Sequence, residues 1–351
     1  MKRLLVTLDF PPEKGGIQHY LEQIVRHTFD SGDLVLVGCS RPVEVPDAFP
    51  CGVTYICTSL SFLNKKFSIL PLFWKTGWCI KKENDSIVEC GNVYAALVPF
   101  LLSFLMQVHY NVYTYGTELK ALDRKGILPF LLKKVLRRAE KLYVLGSYTE
   151  KLLARIQTNR PVQKVPPRIS LVSVREAKRE NRSSTVLLNV ARLVHHKGHD
   201  VLLEAVSKLP CGSDWKLVVV GEGPCRTALE RQAERLGIAQ RVEFAGRVDE
   251  ATLEKVYSEA SLFVFSSRED TRGTEGFGIV LLEAMSHHVP IVASRTGGIP
   301  EVLDNGSCGE LVAPDDPEAL ANGILKLISS EKLRDNYVKN ALIRLREHYV
   351  W

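Results

Sequence analysis

Hydrophobic positions along the chain form short apolar runs that alternate with longer amphipathic stretches. In the first half the runs lie at 4–8, 34–37, 87–88, 112–114 and 142–144, with helical patterns between them that include 18–27 and 129–139. The alternation then restarts, with runs at 186–190, 216–220, 242–244, 262–265, 291–292 and 310–312 and helical patterns at 201–208, 225–236, 250–260, 279–286 and 317–330. Repeated strand–helix units predict parallel sheets covered by helices on both faces. The fold class is therefore α/β, with two doubly wound halves.

The break between the two series extends from Pro161 to Ser184. It contains a Pro-Pro pair and the polar, charged run 175–184, a composition typical of an interdomain linker. We therefore predict an N-terminal domain at 1–168 and a C-terminal domain at 169–351, which suits a chain of 351 residues. Open α/β sheets bind ligands beyond the carboxyl ends of their strands, so we expect the two domains to face each other across a cleft.

Charge is distributed unevenly between the halves. The formal net charge is +6, but residues 1–168 hold 23 Lys and Arg against 14 Asp and Glu, whereas the remainder holds 23 against 26. A basic half indicates either an acidic partner, such as anionic lipid or phosphate, or an ordinary solvated surface. A hydrophobic content of 45% is that of a globular protein with a sizeable core.

Cysteine usage and hydropathy predict a soluble, cytoplasmic protein. The eight cysteines include no CxxC pair and no zinc-finger spacing, and scattered thiols are typical of a reducing compartment. The apolar run at the N-terminus is too short for a signal peptide. The longest apolar stretch, 95–108, is interrupted by Pro99 and is shorter than the ~20 residues of a spanning helix, so it predicts a buried helix.

Two loops that follow strands carry groups suited to phosphate. Gly15 and Gly16 precede a helix, and glycine backbone at a helix start can approach an anion, although a plain turn would look the same. This loop is not a GxGxxG fingerprint, which disfavours a dinucleotide-binding oxidoreductase. Arg192 and Lys197 follow the first strand of the second half and can hold a diphosphate from two sides, or be two solvated cations.

The segment Glu275-Gly-Phe-Gly-Ile-Val-Leu-Leu-Glu283 carries two carboxylates. In a continuous helix these would lie ~12 Å apart along the axis, from 1.5 Å per residue. Glycosidase pairs lie ~5–9.5 Å apart across one bond, so this spacing argues against hydrolysis by the pair. The two carboxylates suit the two ends of an extended ligand, or, alternatively, an acid at a helix start and a solvated glutamate.

These motifs resemble those of family 4 of the retaining glycosyltransferases, which have the GT-B fold of two facing Rossmann-like domains. Nearly the whole second half carries the likeness, through Arg192–Gly198, Gly221–Pro224, Phe244–Val248, Glu275–Glu283 and Pro290–Glu301. In the first half it is carried by Gly15–Gly16, Tyr115–Glu118 and Ser147–Leu153. The stretch 267–278 resembles mannosyltransferase members.

The resemblance implies a role for each matching residue. Glu283 would bind the ribose hydroxyls, and Arg192 and Lys197 would bind the diphosphate. Glu275 with Gly276 and the backbone of Phe277, Gly278 and Ile279 would hold the donor sugar. Gly15 and Gly16 would approach the donor phosphates, and Val248 would lie near the base.

The reaction so implied is hexosyl transfer from a nucleotide-sugar to a glycan or lipid-linked acceptor. Arg192 and Lys197 would stabilise the charge that develops on the departing diphosphate. The sequence contains no D-x-D stretch, and we expect neither a metal nor a cofactor. The family implies retention of configuration, with attack on the leaving-group face and proton transfer to the departing phosphate. GDP-mannose is the first candidate donor and a UDP-sugar the alternative.

Three departures from the family pattern stand out. Tyr115 occupies the position where the family often has a histidine that contacts the donor sugar. Three outcomes follow: Tyr115 serves, the nearby His109 serves, or the chain is less active. His109 and Glu118 are the candidates on the acceptor side. Residues 166–170 replace the usual Gly-Val-Asp segment. Residues 346–351 resemble the stretch before the family's last helix, which leads us to expect that this helix is missing.

Two basic stretches, 64–82 and 131–138, have aromatic or aliphatic neighbours. They can lie on the inner face of an anionic membrane or be helices with a solvated basic face. Nucleic-acid binding is disfavoured because no recognition motif accompanies the charge. Two further functions remain open because one fold hosts several chemistries. They are a non-catalytic sugar-nucleotide-binding protein and another GT-B enzyme, such as a nucleotide-sugar epimerase.

Overall fold

A computed structural model describes residues 3–13, 15–39, 49–57, 69–82, 87–170, 185–210, 214–271 and 273–351. The chain divides into two compact units, Met1–Pro167 and Arg168–Trp351, hereafter the N-terminal and C-terminal units. This division lies one residue from the boundary indicated by the sequence. The predicted linker residues 171–184 lie outside the described part of the chain.

Among its described residues, the N-terminal unit has a seven-stranded parallel sheet in the order β3-β2-β1-β4-β5-β6-β7. The strands are β1 (Arg3–Thr7), β2 (Leu34–Cys39), β3 (Gly52–Cys57), β4 (Ile87–Cys90), β5 (Tyr110–Thr114), β6 (Lys141–Val144) and β7 (Val162–Lys164). The helices are α1 (Gly16–Thr28), α2 (Ile69–Lys82), α3 (Leu97–Leu102), α4 (Gly116–Ala121), α5 (Ile127–Arg138) and α6 (Ser147–Ala154).

The C-terminal unit repeats this architecture with six parallel strands in the order β10-β9-β8-β11-β12-β13, counted over its described residues. The strands are β8 (Thr185–Val190), β9 (Trp215–Val220), β10 (Val242–Gly246), β11 (Leu262–Phe265), β12 (Ile291–Ser294) and β13 (Glu310–Val312). The helices are α7 (His199–Ser207), α8 (Arg226–Arg235), α9 (Glu250–Glu259), α10 (Ile279–Ser286), α11 (Ile299–Val302), α12 (Pro317–Ser329) and α13 (Glu331–His348). Short 3-10 turns occupy His195–Lys197, Ala239–Arg241 and Asp304–Gly306.

The strands of both units are apolar along most of their length, because helices cover the sheets and bury the strands. The four residues of β11 are all buried, as are the four of β12. In the N-terminal unit, α1 buries Tyr20, Leu21 and Ile24 at helical spacing, which follows from its amphipathic pattern. The predicted α/β class with Rossmann-like halves is therefore confirmed.

The hydrophobic pattern does not predict two of the strands, and one helix that it does predict is wrong. Strand β3 is only half-buried, and β7 is exposed and lies inside the predicted linker. The stretch 95–108 contains the short helix α3 rather than one buried helix. The Ser103 hydroxyl donates to the Phe100 carbonyl, a side-chain bond that competes with helix continuation. Beyond it, Phe104 and Leu105 are 64% and 75% exposed.

Candidate functional site

The strand order of each sheet reverses at one point, which is where open α/β sheets bind ligands. In the C-terminal unit this point lies between β8 and β11, which pair directly. The loop after β8 carries Arg192 and Lys197, and the loop after β11 carries Glu275. The topology thus brings together residues that are far apart in the sequence.

Close backbone contact fixes the loop that carries Lys197. After the 3-10 turn, Gly198 has φ +66°, and a Cβ there would lie 2.0 Å from the carbonyl oxygen of Ser266. The Ser266 hydroxyl donates to the carbonyls of Gly198 and Lys197 at 2.9 and 3.2 Å. Only glycine allows this approach without strain. The loop after β8 is therefore bound to the loop after β11.

Lys197 and Glu275 form a salt bridge at this point, with the ammonium group donating to Oε2. Their side chains are only 15% and 11% exposed. Lys197 Nζ also lies 5.2 Å from the ring centroid of Phe265. Arg192 is exposed at the other end of the same loop. The structure therefore brings Lys197 and Glu275 into contact and leaves Arg192 facing solvent.

Two glycines after β12 hold the segment that begins at Glu275. The Gly298 amide donates to the Glu275 carbonyl at 2.9 Å. A Cβ on Gly297 would lie 2.1 Å from that carbonyl oxygen, and a Cβ on Gly298 would lie 2.4 Å from the Gly276 oxygen. Helix α10 begins at Ile279, after Gly278 with φ +91°. Glu275 therefore lies in a loop before the helix, so it and Glu283 do not share one helix.

The side chain of Phe277 is buried, and its ring packs edge-on against Tyr349 with centroids 5.6 Å apart. Because the ring is buried, only the backbone of Phe277 is available to a ligand. The resemblance likewise implies that the backbone of Phe277 holds the donor sugar. Val248 is half-buried in the short connection between β10 and α9.

Glu283 is held by a residue that the sequence analysis did not single out. The Tyr257 hydroxyl donates to Glu283 Oε2 at 2.8 Å, and the Tyr257 ring stacks on His287 with centroids 5.0 Å apart. His287 Nε2 lies 3.3 Å from Glu254 Oε2. Burial, and then the charge of Glu283, raise the pKa of Tyr257 well above its ordinary value. Tyr257 is therefore a permanent donor that orients the Glu283 carboxylate.

The glycines of Gly221-Glu-Gly-Pro224 have a structural role in the turn after β9. Gly221 has φ +137°, and a Cβ there would lie 2.0 Å from the Ala191 oxygen. A Cβ on Gly223 would lie 2.3 Å from the Leu193 oxygen. Both glycines therefore allow the turn to pack closely against the loop that carries Arg192.

Two buried histidines flank Lys197. Burial, and then the charge of Lys197, lower the pKa of His196 to about 4 and that of His199 to about 3. A Cβ on Gly273 would lie 2.5 Å from His196 Nδ1, and the Arg268 amide donates to the His196 carbonyl at 2.8 Å. The two imidazoles are therefore neutral at pH 7 and add no charge beside Lys197.

We expect stability to fall as the pH is lowered from about 6.5 towards 4. In that window the unfolded chain binds protons on His196 and His199 that the folded chain does not, since both folded pKa values lie below the ordinary 6.5. Each such group changes the free energy of unfolding by about 1.4 kcal/mol per pH unit. Urea unfolding of His199→Phe should show a shallower pH slope. His348→Phe, at a 54% exposed side chain, should keep the original slope, and equal slopes for both variants would contradict the assignment.

Tyr115 in the N-terminal unit is buried with its hydroxyl in use. The hydroxyl donates to the Gly91 carbonyl at 2.8 Å, and the ring meets Tyr20 edge-on at 6.2 Å between centroids. Burial raises the pKa of Tyr115 well above its ordinary value. This placement is contrary to the expectation that the Tyr115 hydroxyl contacts a donor sugar, because a hydrogen bond to backbone would first have to break.

Glu118 and His109, the candidates on the acceptor side, are engaged in other contacts. Glu118 accepts the amides of Tyr115 and Val93 at 3.1 and 3.4 Å and so caps α4, and burial raises its pKa to about 8. His109 precedes β5, at the opposite end of that strand from Tyr115, and its ring pairs with Glu140. His109 therefore cannot replace Tyr115 at the ligand edge of the sheet.

Gly15 and Gly16 lie at the start of α1, as the sequence predicts. Gly15 is the residue before the helix, and the first turn of the helix contains no acidic residue. Nearby, Asp9 accepts Gln18 Nε2 at 3.1 Å and Asn92 Nδ2 at 2.7 Å. The loop after β1 therefore combines a helix N-terminus with a polar cluster.

Across the described ranges, no group of three or more His, Cys, Asp or Glu side chains is arranged to hold a metal ion. None of the helices in the part of the chain that the structure covers is long and apolar enough to cross a membrane.

Comparison with known proteins identifies the family. Residues 173–344 match the family described as glycosyl transferases group 1. The chain is 32% identical over 351 residues to the GDP-mannose-dependent alpha-(1-6)-phosphatidylinositol monomannoside mannosyltransferase of Mycobacterium tuberculosis, covering 93% of this chain and 88% of that protein. It is 26% identical to an uncharacterized glycosyltransferase of Methanocaldococcus jannaschii, covering 100% of this chain and 95% of that protein.

Solved structures share the fold. Sucrose-phosphate synthase from Thermosynechococcus elongatus matches with a TM-score of 0.86 at 18% identity, covering 100% of this chain and 95% of that chain. HepE of Anabaena in complex with UDP-glucose matches with a TM-score of 0.79 at 18% identity, covering 99% and 95%. The predicted GT-B fold is thus confirmed, and the chain belongs to the group 1 glycosyltransferases and is a glycosyltransferase enzyme.

Proposed function

We propose that the protein is a retaining, metal-independent hexosyltransferase that uses GDP-mannose and a glycan or lipid-linked acceptor. The observation that carries this proposal is the Lys197–Glu275 pair at the point where the strand order of the C-terminal unit reverses. A cation and a carboxylate side by side suit a ligand whose phosphates adjoin sugar hydroxyls. The mannosyltransferase of Mycobacterium tuberculosis is described as GDP-mannose-dependent, which supports mannose.

In the proposed reaction the bond between the anomeric carbon and the diphosphate oxygen breaks, and a bond to the acceptor oxygen forms. The acceptor proton passes to the departing diphosphate. Lys197 and Arg192 stabilise the negative charge that grows on the diphosphate, which is where preorganised donors act most strongly. Glu275 accepts hydrogen bonds from the sugar hydroxyls, and Glu283 accepts those of the ribose.

The experiment that tests the donor is a thermal-shift screen of GDP, UDP and their sugars, followed by transfer with the donor that binds. A ligand that binds only the folded chain raises its melting temperature. We expect GDP-mannose to give the largest shift. Anomeric configuration in the product is read from NMR coupling constants, and an inverted product would contradict retention. Activity that survives chelation with EDTA is expected, and its loss with recovery on adding a metal would contradict metal independence.

A UDP-sugar is the alternative donor. The chain shares its fold with HepE, which was solved with UDP-glucose. The same screen decides between the two, because GDP and UDP share the ribose and the diphosphate and differ only in the base, which would lie near Val248.

Transfer is followed directly by the release of nucleoside diphosphate. Free diphosphate should appear in step with acceptor consumption. Binding of the nucleotide-sugar without such release, with any acceptor, would contradict the proposed function.

We expect Tyr257→Phe to raise the KM for the donor about tenfold or more with little change in kcat. The substitution removes a hydrogen bond to a charged carboxylate, worth about 1.5–3 kcal/mol. Steady-state kinetics with varied donor concentration measure the effect. Tyr337→Phe is the matched control, because its hydroxyl donates to Glu310 at the same 2.8 Å on another part of the unit. Equal KM values for both variants would show that Tyr257 does not position Glu283 for the donor.

A further inference from the structure

Three neighbouring elements of the N-terminal unit expose large apolar side chains. On α2, Leu70, Trp74 and Trp78 recur at every fourth position and are 69%, 76% and 57% exposed. Phe104 and Leu105 follow α3, and Ile127 and Phe130 on α5 are 88% and 58% exposed. Contiguous exposed apolar side chains on a folded domain mark an interaction surface. We name Trp74, Trp78, Phe104, Leu105, Ile127 and Phe130 the aromatic face.

Direct contacts show that these elements adjoin. Helices α2 and α3 pack so closely that a Cβ on Gly77 would lie 3.1 Å from Leu102 Cδ2. Helix α5 reaches the turn after α3 through Arg138, whose guanidinium carbon lies 4.9 Å from the Phe104 ring centroid. An Arg138 nitrogen also donates to the Ser103 carbonyl at 3.2 Å. The three elements therefore form one continuous side of the unit.

Cations accompany the exposed rings. Lys75 Nζ and Lys82 Nζ lie 4.6 and 5.3 Å from the Trp78 centroid, and Lys134 Nζ lies 4.7 Å from that of Phe130. Residues 69–82, 97–108 and 126–138 contain seven Lys and Arg and no Asp or Glu. These three stretches therefore carry charge of one sign only.

We propose that the aromatic face docks the protein on a bilayer that contains anionic lipids. Tryptophan and phenylalanine insert at the boundary between headgroups and acyl chains, while lysine and arginine stay at headgroup level. Each cation near an anionic surface strengthens binding by about 1 kcal/mol. Uniform positive charge matches negative lipid headgroups and would oppose a second copy of the same face. Membrane docking itself does not depend on the proposed function. Its consequence, that the enzyme reaches its acceptor at the membrane, rests on the proposed function.

Flotation with vesicles tests the docking without any donor present. Vesicles of phosphatidylcholine mixed with phosphatidylglycerol should bind the protein, and vesicles of phosphatidylcholine alone should bind it at least tenfold more weakly. Added salt should reduce binding, because it screens the charges. Equal binding to both kinds of vesicle, or binding to neither, would overturn the proposal.

Two pairs of substitutions separate the apolar and the charged contributions. Trp74→Ser with Phe104→Ser should lower binding more than tenfold. Lys134→Gln with Arg138→Gln should lower it about thirty-fold, from two cations at about 1 kcal/mol each. The matched controls are Ile343→Ser, which is 47% exposed in the C-terminal unit, and Arg235→Gln with Lys332→Gln, which are exposed there. Controls that reduce binding as much as the test variants would also overturn the proposal.

Sedimentation and donor turnover complete the test. If the unmodified chain self-associates and Trp74→Ser with Phe104→Ser makes it monomeric, the face is a contact between protein copies and the membrane proposal is wrong. Hydrolysis of the donor in solution should be unchanged in all these variants. Failure of vesicle binding with intact donor turnover refutes the docking alone, whereas vesicle binding without turnover refutes the proposed function alone.

Discussion

Glu275→Ala is expected to lower kcat for transfer by about 10²–10³-fold, the cost of losing one group that acts on the transition state. The variant removes the carboxylate proposed to hold the donor sugar and leaves Lys197, whose side chain is only 15% exposed, without its partner. An unpaired buried charge costs about 3–5 kcal/mol, so the free energy of unfolding should fall as well. Rates are therefore to be measured below the melting temperature of the variant.

The control for Glu275 is Glu310→Ala. Glu310 also pairs with a lysine, Lys326, at 2.8 Å, and its side chain is 17% exposed. It begins β13, at the end of the strand opposite to the ligand edge. This variant should be less stable than the unmodified chain but keep its kcat. Full turnover by Glu275→Ala, or an equal loss in both variants, would refute the role assigned to Glu275.

Gly297→Ala should destabilise the chain by about 3 kcal/mol or more, among the larger effects of single substitutions. Two causes add at this position. The backbone has φ +57°, a left-handed conformation that costs an ordinary residue about 1–2 kcal/mol. In addition, the new Cβ would lie 2.1 Å from the Glu275 carbonyl oxygen, so the segment that carries Glu275 must move. Transfer by the folded fraction should therefore fall too.

Gly237→Ala separates the two causes. Gly237 has φ +70°, but a Cβ there would meet no atom within 4 Å. This control should cost only the backbone term, about 1–2 kcal/mol, and leave kcat unchanged. Urea unfolding of both variants gives the difference. If the two variants lost equal stability and both kept full activity, the close packing of Gly297 against Glu275 would contribute neither to stability nor to transfer.

The sequence predicts the C-terminal unit well because strongly periodic signals specify it. All six of its strands were expected within a few residues of their positions, as was the place of Lys197 and Glu275 after strands. The contact between Lys197 and Glu275 was not predictable, since only the strand order brings β8 beside β11. Tyr257 was missed for the same reason, because it lies 26 positions from Glu283 on another helix.

Prediction was weaker for the N-terminal unit. The edge strands β3 and β7 have no continuous buried apolar run and so give no pattern to detect. The apolar stretch predicts that Phe104 and Leu105 lie in a buried helix, because hydrophobic side chains usually lie inside a protein. Their exposure could not be read from composition, and it depends on where α3 ends. Tyr115 does follow β5 at the ligand edge, but tertiary packing directs its hydroxyl to the Gly91 carbonyl rather than to a ligand.

The pairing of Lys197 with Glu275 has a consequence for which ligands the site admits. A free lysine attracts any phosphate, including inorganic phosphate and the nucleotides that are abundant in a cell. A lysine already held by a carboxylate does not, because a simple anion that draws it away leaves the carboxylate uncompensated. A complete nucleotide-sugar would satisfy both groups at once under the proposed function, with oxyanions for the lysine and hydroxyls for the glutamate. In the proposed function, the paired groups would therefore favour the intact donor over its fragments.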